Sequence, residues 1–309
     1  MTVLDWLLGA DPSIRWQVLR DLADAPDDVV AAERARVATE GWGARLLAEQ
    51  DPDGQWAGGA CFPAGWRPSG EPGQPWTSTL PTLVLLKDLG LDPTSDAAGA
   101  TAALVAENCR WEYDGAPFFA GEVEACINGR TVAVGAWLGR DVTDLVQRLL
   151  DDQLSDGGWN CYTEHGSTVG SFDSTVNVVE GLLAFERATG GSPQVAAARR
   201  RGEEYLLERG LFRRRSTGEV AVPGYLQLSF PPRWHHDVLR GLDHFREAGG
   251  APDPRLEEAL ALVRDRRQPD GTWLLDATHP GEVWFELEEI GAPSRWNTLR
   301  ALRVLRWAG

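Results

Sequence analysis

The sequence is poor in lysine, in methionine and in positive charge generally. Of its 309 residues only Lys87 is a lysine and only Met1 is a methionine, and 46 Asp and Glu residues outnumber 30 Lys and Arg residues. The formal net charge is therefore −16. This excess of negative charge argues against nucleic acid or an anionic membrane surface as a partner, because both would repel it.

The sequence also has no long apolar run and few cysteines. No run approaches the roughly 20 apolar residues that a membrane-spanning helix needs, so no transmembrane segment is expected. The first six residues contain an acid and no basic region, so no signal peptide is expected either. These features predict a cytoplasmic protein whose four cysteines (Cys61, Cys109, Cys126 and Cys161) are free or bound to metal.

Tryptophan is abundant, with 14 residues, and three of them close a repeated turn. The turns have the pattern Gln-x(2–3)-Gly-x-Trp and occupy residues 50–56, 153–159 and 268–273. Asp-Gly favours a tight turn in which Gly takes positive φ. The Gln amide can bond backbone groups left open at a helix end, and the Trp ring can cover the turn. We therefore predict that each pattern links one helix to the next.

Apolar residues recur at helical spacing along the whole chain and predict about eleven or twelve helices with no strand pair. Charged amphipathic helices, the first of them expected over residues 27–49, alternate with more apolar ones. The apolar helices are expected at residues 13–23, 77–89, 122–139, 171–189, 233–248 and 294–307. Six helices of one kind and five or six of the other indicate inner helices surrounded by outer ones. The predicted fold is all-α, an (α/α)6 toroid in which residues 1–309 form a single domain.

This combination of turns and alternating helices resembles the α/α-toroid superfamily of squalene and other terpenoid cyclases and protein prenyltransferases. The chain is most similar to short bacterial proteins of the squalene cyclase group, and the resemblance covers essentially its whole length. The segments that carry it are residues 121–129, 156–161, 171–175 and 293–300. The resemblance implies a central cavity, lined by the starts of the inner helices, for an isoprenoid or similar hydrophobic molecule.

The chain departs from the superfamily at its usual acid motifs. Terpenoid cyclases that protonate their substrate use an Asp-x-Asp-Asp motif, and residues 24–28 contain acids at the wrong spacing. Residues 151–156 are a near miss to the Asp-Asp-x-x-Asp motif of cyclases that ionise a diphosphate. Squalene cyclisation by the usual motif is therefore not expected. An acid-catalysed cyclisation or isomerisation would need other carboxylates.

The expected catalytic groups are Glu122, Glu124 and Asp173, which lie at the starts of two predicted inner helices. Burial of an unpaired carboxylate favours its protonated form and can provide an acid near neutral pH. The expected substrate-binding residues are mainly aromatic and would form a bowl whose π-faces stabilise carbocations. They are Trp76, Cys126, Asn128, Trp234, His235, Trp284, Trp296 and Asn297.

No cofactor is expected, with zinc as the alternative. The segment Glu124-Ala-Cys126 is similar to the Asp-x-Cys zinc pair of protein prenyltransferases, and Asp173 stands where those enzymes place a histidine. Independently, Cys161 and His165 have a spacing that suits a zinc site. The metal alternative therefore consists of Cys126, Cys161 and His165.

Three functions follow from these observations. The first is a terpenoid-cyclase-like protein that binds a hydrophobic or aromatic small molecule in an aromatic, acidic cavity. The second is a binding protein without catalytic activity, whose ligand is a cationic or aromatic molecule. The third is a zinc-dependent enzyme of the prenyltransferase type. Whether the protein is an enzyme stays open at this point, and the sequence indicates no protein partner.

Overall fold

The structure is a computed structural model that describes residues 2–68, 70 and 73–309. Most of these residues lie in helices, so the predicted all-α class is confirmed. No helix among them is long and apolar enough to span a bilayer. Contacts divide the chain into two compact units. Unit 1 comprises Met1–Glu122, Val134–Val142 and His279–Leu287, and unit 2 comprises Val123–Ala133, Thr143–Thr278 and Glu288–Gly309.

Unit 1 begins with three helices whose ends agree only partly with the sequence pattern. Asp11 caps the second helix, because its carboxylate Oδ1 accepts the N–H of Ser13 at 2.9 Å. The single helix expected over residues 27–49 is instead two helices separated by a 3-10 turn, and Gly41 at the second start has a φ of +66°. The helices are α1 (Val3–Leu8), α2 (Pro12–Asp21), α3 (Asp27–Ala35), α4 (Gly41–Ala48), α5 (Thr79–Leu89) and α6 (Asp96–Asn108).

Unit 2 contains most of the remaining helices and a short strand pair that the sequence pattern did not predict. Its helices are α7 (Ala125–Trp137, which continues into unit 1), α8 (Thr143–Asp151), α9 (Phe172–Thr189), α10 (Pro193–Leu207), α11 (Val238–Ala248), α12 (Glu257–Asp265) and α13 (Arg295–Ala308). Strand β1 (Trp273–Leu274) pairs antiparallel with β2 (Pro293–Ser294). Each strand has only two residues, which explains why alternating hydrophobicity gave no signal.

The buried and the more exposed helices of unit 2 pack in the predicted alternation. The buried helices α9, α11 and α13 are neighbours in that order, α10 packs on α9, and α12 packs on both α11 and α13. Helix α11 begins at Val238, five residues later than expected. The reason is local: Pro231 and Pro232 keep the preceding segment out of a helix, and Asp237 then caps the start by accepting the N–H of Arg240.

The three repeated turns share one set of hydrogen bonds. The indole N–H of Trp56, Trp159 and Trp273 donates to a carbonyl ten residues earlier, in the last part of the preceding helix, at 2.8, 2.7 and 2.7 Å. The backbone N–H of the same three residues donates to a threonine hydroxyl in the following buried helix, at 3.2, 3.1 and 3.0 Å. Each Trp thus ties the end of an outer helix to the start of an inner one.

The glycine of each turn takes the backbone conformation that the Asp-Gly pattern predicts. Gly54, Gly157 and Gly271 have φ values of +90°, +86° and +88°. The Gln amide behaves as expected in the first two turns, where Gln50 and Gln153 donate to the glycine carbonyl four residues on at 2.9 and 2.7 Å. In the third and shorter turn Gln268 donates instead to the carbonyl of Arg266 at 3.0 Å.

Candidate functional site

Three of the expected site residues lie in unit 1, and two of them are tryptophans whose indole N–H is hydrogen-bonded. Trp76 is buried, and its indole N–H donates to the carbonyls of His279 and Pro280 at 3.2 and 3.1 Å. Trp284 donates its indole N–H to the hydroxyl of Thr82 at 3.3 Å. Glu122 is 7% exposed, so the expectation that it is buried holds.

The expected aromatic and amide residues of unit 2 mostly have packing partners. Trp296 is buried and stacks on Phe230 with ring centroids 4.2 Å apart. The amide of Asn297 donates to two backbone carbonyls, those of Leu228 and Leu274, at 2.9 and 3.0 Å. These bonds tie α13 to β1 and to a loop.

Trp234 and His235 lie together just before α11. Their rings stack with centroids 3.6 Å apart, and both residues are half-buried. The carbonyl of Trp234 accepts a hydrogen bond from the amide of Asn177 on α9 at 2.7 Å. The stacked pair is therefore held against the adjacent buried helix.

Two cysteines form the closest group of potentially reactive side chains in unit 2. The Sγ atoms of Cys126, on the first turn of α7, and Cys161, in the loop after the central turn, are 2.7 Å apart. The backbone N–H of Cys126 points to the sulfur of Cys161 at 3.3 Å, and the hydroxyl of Ser174 on α9 lies 3.2 Å from that sulfur. Three segments of the chain therefore meet at Cys161.

The hydrogen bonds around the cysteine pair separate the two pKa values. The hydrogen bond with Cys126 lowers the pKa of Cys161, and the Ser174 hydroxyl and the Cys126 N–H lower it further against the effect of burial. The contact between the two sulfurs, together with burial, raises the pKa of Cys126 well above its ordinary value. Cys161 is therefore the more acidic thiol of the pair.

Glu124 completes a group with the two cysteines, while His165 does not. One carboxylate oxygen of Glu124 and the sulfurs of Cys126 and Cys161 lie within 4.8 Å of one another. His165 is exposed in a following 3-10 turn and contacts Tyr162, with ring centroids 5.9 Å apart. Glu124 is itself exposed, contrary to the expectation that it is buried.

Asn128, the last expected binding residue, is fully buried on α7, and its N–H donates to the carbonyl of Glu124 at 2.9 Å. The next residue, Gly129, faces α9. A Cβ atom at Gly181 of α9 would lie 2.2 Å from the carbonyl oxygen of Gly129. Two glycines thus let α7 and α9 approach closely, and this approach places the starts of both helices side by side.

Asp173 is held by two donors on the first turn of α9. Its carboxylate accepts the Tyr225 hydroxyl at 2.9 Å and the backbone N–H of His236 at 2.7 Å. Burial, and then the neighbouring Asp173, raise the pKa of Tyr225, which keeps the phenol protonated as a donor. Burial lowers the pKa of His236, whose Nε2 lies 2.7 Å from the carbonyl of Leu211. Asp173 therefore sits in a rigid, fully bonded environment.

A cavity of about 630 Å³ opens beside Tyr225. Its aromatic lining consists of Phe172, Tyr205 and Tyr225. Phe172 packs against both tyrosines, with ring centroids 5.8 and 5.2 Å apart. Burial raises the pKa of Tyr205 to about 12, and its hydroxyl donates to the carbonyl of Gly170 at 2.7 Å. The three rings form a fixed apolar wall.

Four arginines line the same cavity, namely Arg209, Arg213, Arg214 and Arg215. The sequence pattern indicated only a solvated turn at residues 213–215, and it gave no role to Tyr205, Tyr225 or Arg209. The run of three arginines was no distinguishing signal, because residues 199–201 are also three consecutive arginines and do not line this cavity. Their convergence with the tyrosines on one cavity depends on contacts between α9, α10 and the loop that follows α10.

No protein-family model and no curated protein matches this sequence. Solved structures that it is similar to include a protein from Actinoplanes, with 18% identity and a TM-score of 0.46 over 96% of this chain and 89% of that one. Another is the type II terpene cyclase MstE from Scytonema in complex with geranylgeranyl dihydroxybenzoate. It has 15% identity and a TM-score of 0.44 over 94% of this chain and 85% of that chain. The apo form of that cyclase aligns with a TM-score of 0.36 and 15% identity over 89% and 95% of the two chains. Likenesses this distant carry no argument about chemistry.

Proposed function

We propose that this chain is a terpenoid-cyclase-like protein that binds a hydrophobic, isoprenoid-like small molecule. One observation carries the proposal: the cavity of about 630 Å³ has a wall formed by Phe172, Tyr205 and Tyr225. A wall of ring faces suits an apolar chain with unsaturated bonds, because it offers dispersion contacts and a negative π-surface. Its volume lies within the range of ordinary small-molecule sites.

The role proposed for Asp173 follows from its hydrogen bonds. A carboxylate that accepts bonds from Tyr225 and from the His236 N–H is suited to holding negative charge and not to delivering a proton. Asp173 is hydrogen-bonded to the hydroxyl of Tyr225 and is not itself part of the cavity lining. Its negative charge would therefore favour positive charge that develops on a bound ligand. We propose that one of the other expected acids, Glu122 or Glu124, donates the proton.

The binding proposal can be tested with farnesol, an uncharged isoprenoid alcohol. Isothermal titration of the full chain should show saturable binding, and Phe172→Ala should weaken it because that ring contacts both tyrosines. Phe62→Ala is the matched control, since Phe62 stacks on Trp66 in unit 1 and does not line this cavity. Absence of farnesol binding, or equal weakening by both variants, would contradict the proposal.

A zinc-dependent function is a second candidate, favoured by the group of Glu124, Cys126 and Cys161. Two thiolates and a carboxylate are ligands that zinc accepts, and three protein ligands leave one tetrahedral position for water or substrate. The fit is incomplete in one respect. Two thiolates on one tetrahedral zinc ion are roughly 3.8 Å apart, so the sulfurs would have to separate from their present 2.7 Å.

Native mass spectrometry distinguishes the two candidates. A mass increment of one zinc ion that is lost on denaturation, and that is absent in Cys161→Ser, would support the zinc-dependent function. An increment that survives Cys161→Ser would place the metal elsewhere. A retained organic molecule would support the hydrophobic-ligand proposal and reveal its class directly.

A further inference from the structure

We propose that the aromatic cavity recognises an oxyanion, a carboxylate or a phosphate, on the hydrophobic molecule that it binds. This inference rests on the proposed function, because both concern one ligand in one cavity. The observations that support it differ from those that support the proposed function. Arg209, Arg213, Arg214 and Arg215 line the cavity, and among the described residues of the lining Asp156 is the one acid.

Arg209 forms the inner part of the basic lining. It is 7% exposed, its guanidinium lies 3.6 Å from the centroid of the Tyr205 ring, and it donates to the Tyr205 carbonyl at 2.9 Å. These contacts fix the cation directly against the aromatic wall. A ligand that packs on Tyr205 therefore lies beside a positively charged group.

Arg209 lies near two acids, Glu208 at 3.6 Å and Asp156, but the nearby acids compensate only part of the positive charge of the four arginines. Asp156 is 3.7 Å from Arg209, but its two oxygens already accept the N–H groups of Gly158 and Gly170 at 3.1 and 3.0 Å. It is consequently held in place by the backbone and cannot turn to neutralise the other arginines.

The three outer arginines differ in how they are paired. Arg213 is paired with Glu258, and Arg215 lies 3.3 Å from Glu208. Arg214 is exposed and donates to the carbonyl of Ala221 at 3.0 Å. Within the described residues it forms no ion pair, so its charge is available to a ligand in the cavity.

Guanidinium groups recognise carboxylates and phosphates through a planar pair of donors, which a cation or a neutral molecule cannot use. The combination of an aromatic wall with an outer arginine cluster therefore fits an amphipathic anion, with its apolar part on Phe172 and its charged end at Arg214. It opposes a cationic ligand in this cavity, which was one of the alternatives drawn from the sequence.

The experiment compares three probes that share one apolar chain: farnesol, farnesoate and farnesyl phosphate. Titration of the full-length protein should show tighter binding of both anions than of the alcohol. Arg214→Gln should weaken both anions by about fivefold to tenfold and leave farnesol unchanged. Arg214→Lys, which keeps the charge and loses the planar donor pair, should lie between the two. Arg200→Gln is the control, because Arg200 is an exposed arginine of α10 that does not line the cavity.

The outcomes separate the inference from the proposed function. The anion site would be overturned if the alcohol and both anions bound with equal affinity, or if Arg214→Gln left the affinity for the anions unchanged. Either result would leave the hydrophobic-ligand proposal standing. Failure of all three probes to bind would overturn both. A preference for one anion over the other, lost in Arg214→Gln, would support the inference and identify the charged group as carboxylate or phosphate.

Discussion

The sulfurs of Cys126 and Cys161 lie 2.7 Å apart, so a buried cysteine and a half-buried cysteine are in direct contact. Their sequence separation is 35 residues, and the contact exists because α7 and α9 start side by side. The pair therefore gives the two thiols opposite acidities within one small region.

Alkylation with iodoacetamide in the presence of a chelator should show these opposite acidities. Cys161 has a lowered pKa, so its reactive thiolate should be present at a pH below the ordinary cysteine value of about 8.5. Cys126→Ala removes the neighbouring sulfur that lowers the pKa of Cys161, and it should move the reaction midpoint to higher pH. Peptide mass mapping of modified residues measures both effects.

Cys109 serves as the internal control for that experiment. Burial raises its pKa to about 12, and it should stay unmodified in the folded protein at every pH where Cys161 reacts. Equal modification of Cys109 and Cys161, or a midpoint unchanged by Cys126→Ala, would contradict the proposed hydrogen-bond geometry.

Removal of the Tyr225 hydroxyl should destabilise unit 2. Tyr225→Phe leaves one oxygen of the half-buried Asp173 carboxylate without its donor, and loss of such a hydrogen bond costs about 1–3 kcal/mol in the free energy of unfolding. Urea denaturation followed by circular dichroism measures the change. Tyr162→Phe, at an exposed tyrosine, should change stability little, and a matching loss there would refute the assignment.

Gly181→Ala should weaken the packing of α7 on α9. The added methyl would meet the Gly129 carbonyl at 2.2 Å, and overpacking of this kind costs about 1–3 kcal/mol. Gly99→Ala on α6 is the opposite case, because nothing lies within 4 Å of the added Cβ. It should raise helix stability by about 0.5–1 kcal/mol. Thermal unfolding that shows both variants equally stable would contradict the close approach.

Acid should weaken the ionic cluster around Asp243. Burial raises the pKa of this carboxyl, but Arg303 and Arg246 outweigh burial and hold the pKa well below its usual range. A depressed pKa contributes stability that is complete above the unfolded value of about 3.9. That contribution should be lost as pH falls below about 4. Urea midpoints measured from pH 7 to pH 3 follow this loss.

Substitution of Asp243 distinguishes its own contribution to stability from the general effect of acid on the protein. Asp243→Asn leaves buried arginines without their partner and should cost about 3–5 kcal/mol at pH 7 while flattening the acid dependence. Asp253→Asn breaks a more exposed pair with Arg255 and should cost less than about 1 kcal/mol. Similar losses in the two variants would argue against a special role for Asp243.

Much of the secondary structure could be predicted because its signals are local. The Asp-Gly-x-Trp turns need only the conformational freedom of one glycine and the bonds of one indole, and all three were placed correctly. The predicted helix boundaries were wrong where residues next to the helix ended or delayed it. The helix expected over 27–49 breaks at Gly41, and α11 begins only after Asp237.

The expected site was predicted less well, since residue type does not reveal the direction in which a side chain points. Asn297 was expected to bind substrate, and its side-chain NH2 group donates to two backbone carbonyls. Arg214 is exposed, as expected, but its place in the lining of the aromatic cavity was not predicted. Glu124 was expected to be buried and is exposed.

By itself the sequence determined the helical class, the positions of the three tryptophan turns and the acidic character of the chain. Each depends on composition or on residues within about one helical turn of one another. Only the tertiary structure decided that Cys126 meets Cys161 and that Tyr225 bonds Asp173 across 52 residues. Such contacts depend on which helices pack together, and a close approach such as that of Gly129 and Gly181 is a property of two segments at once.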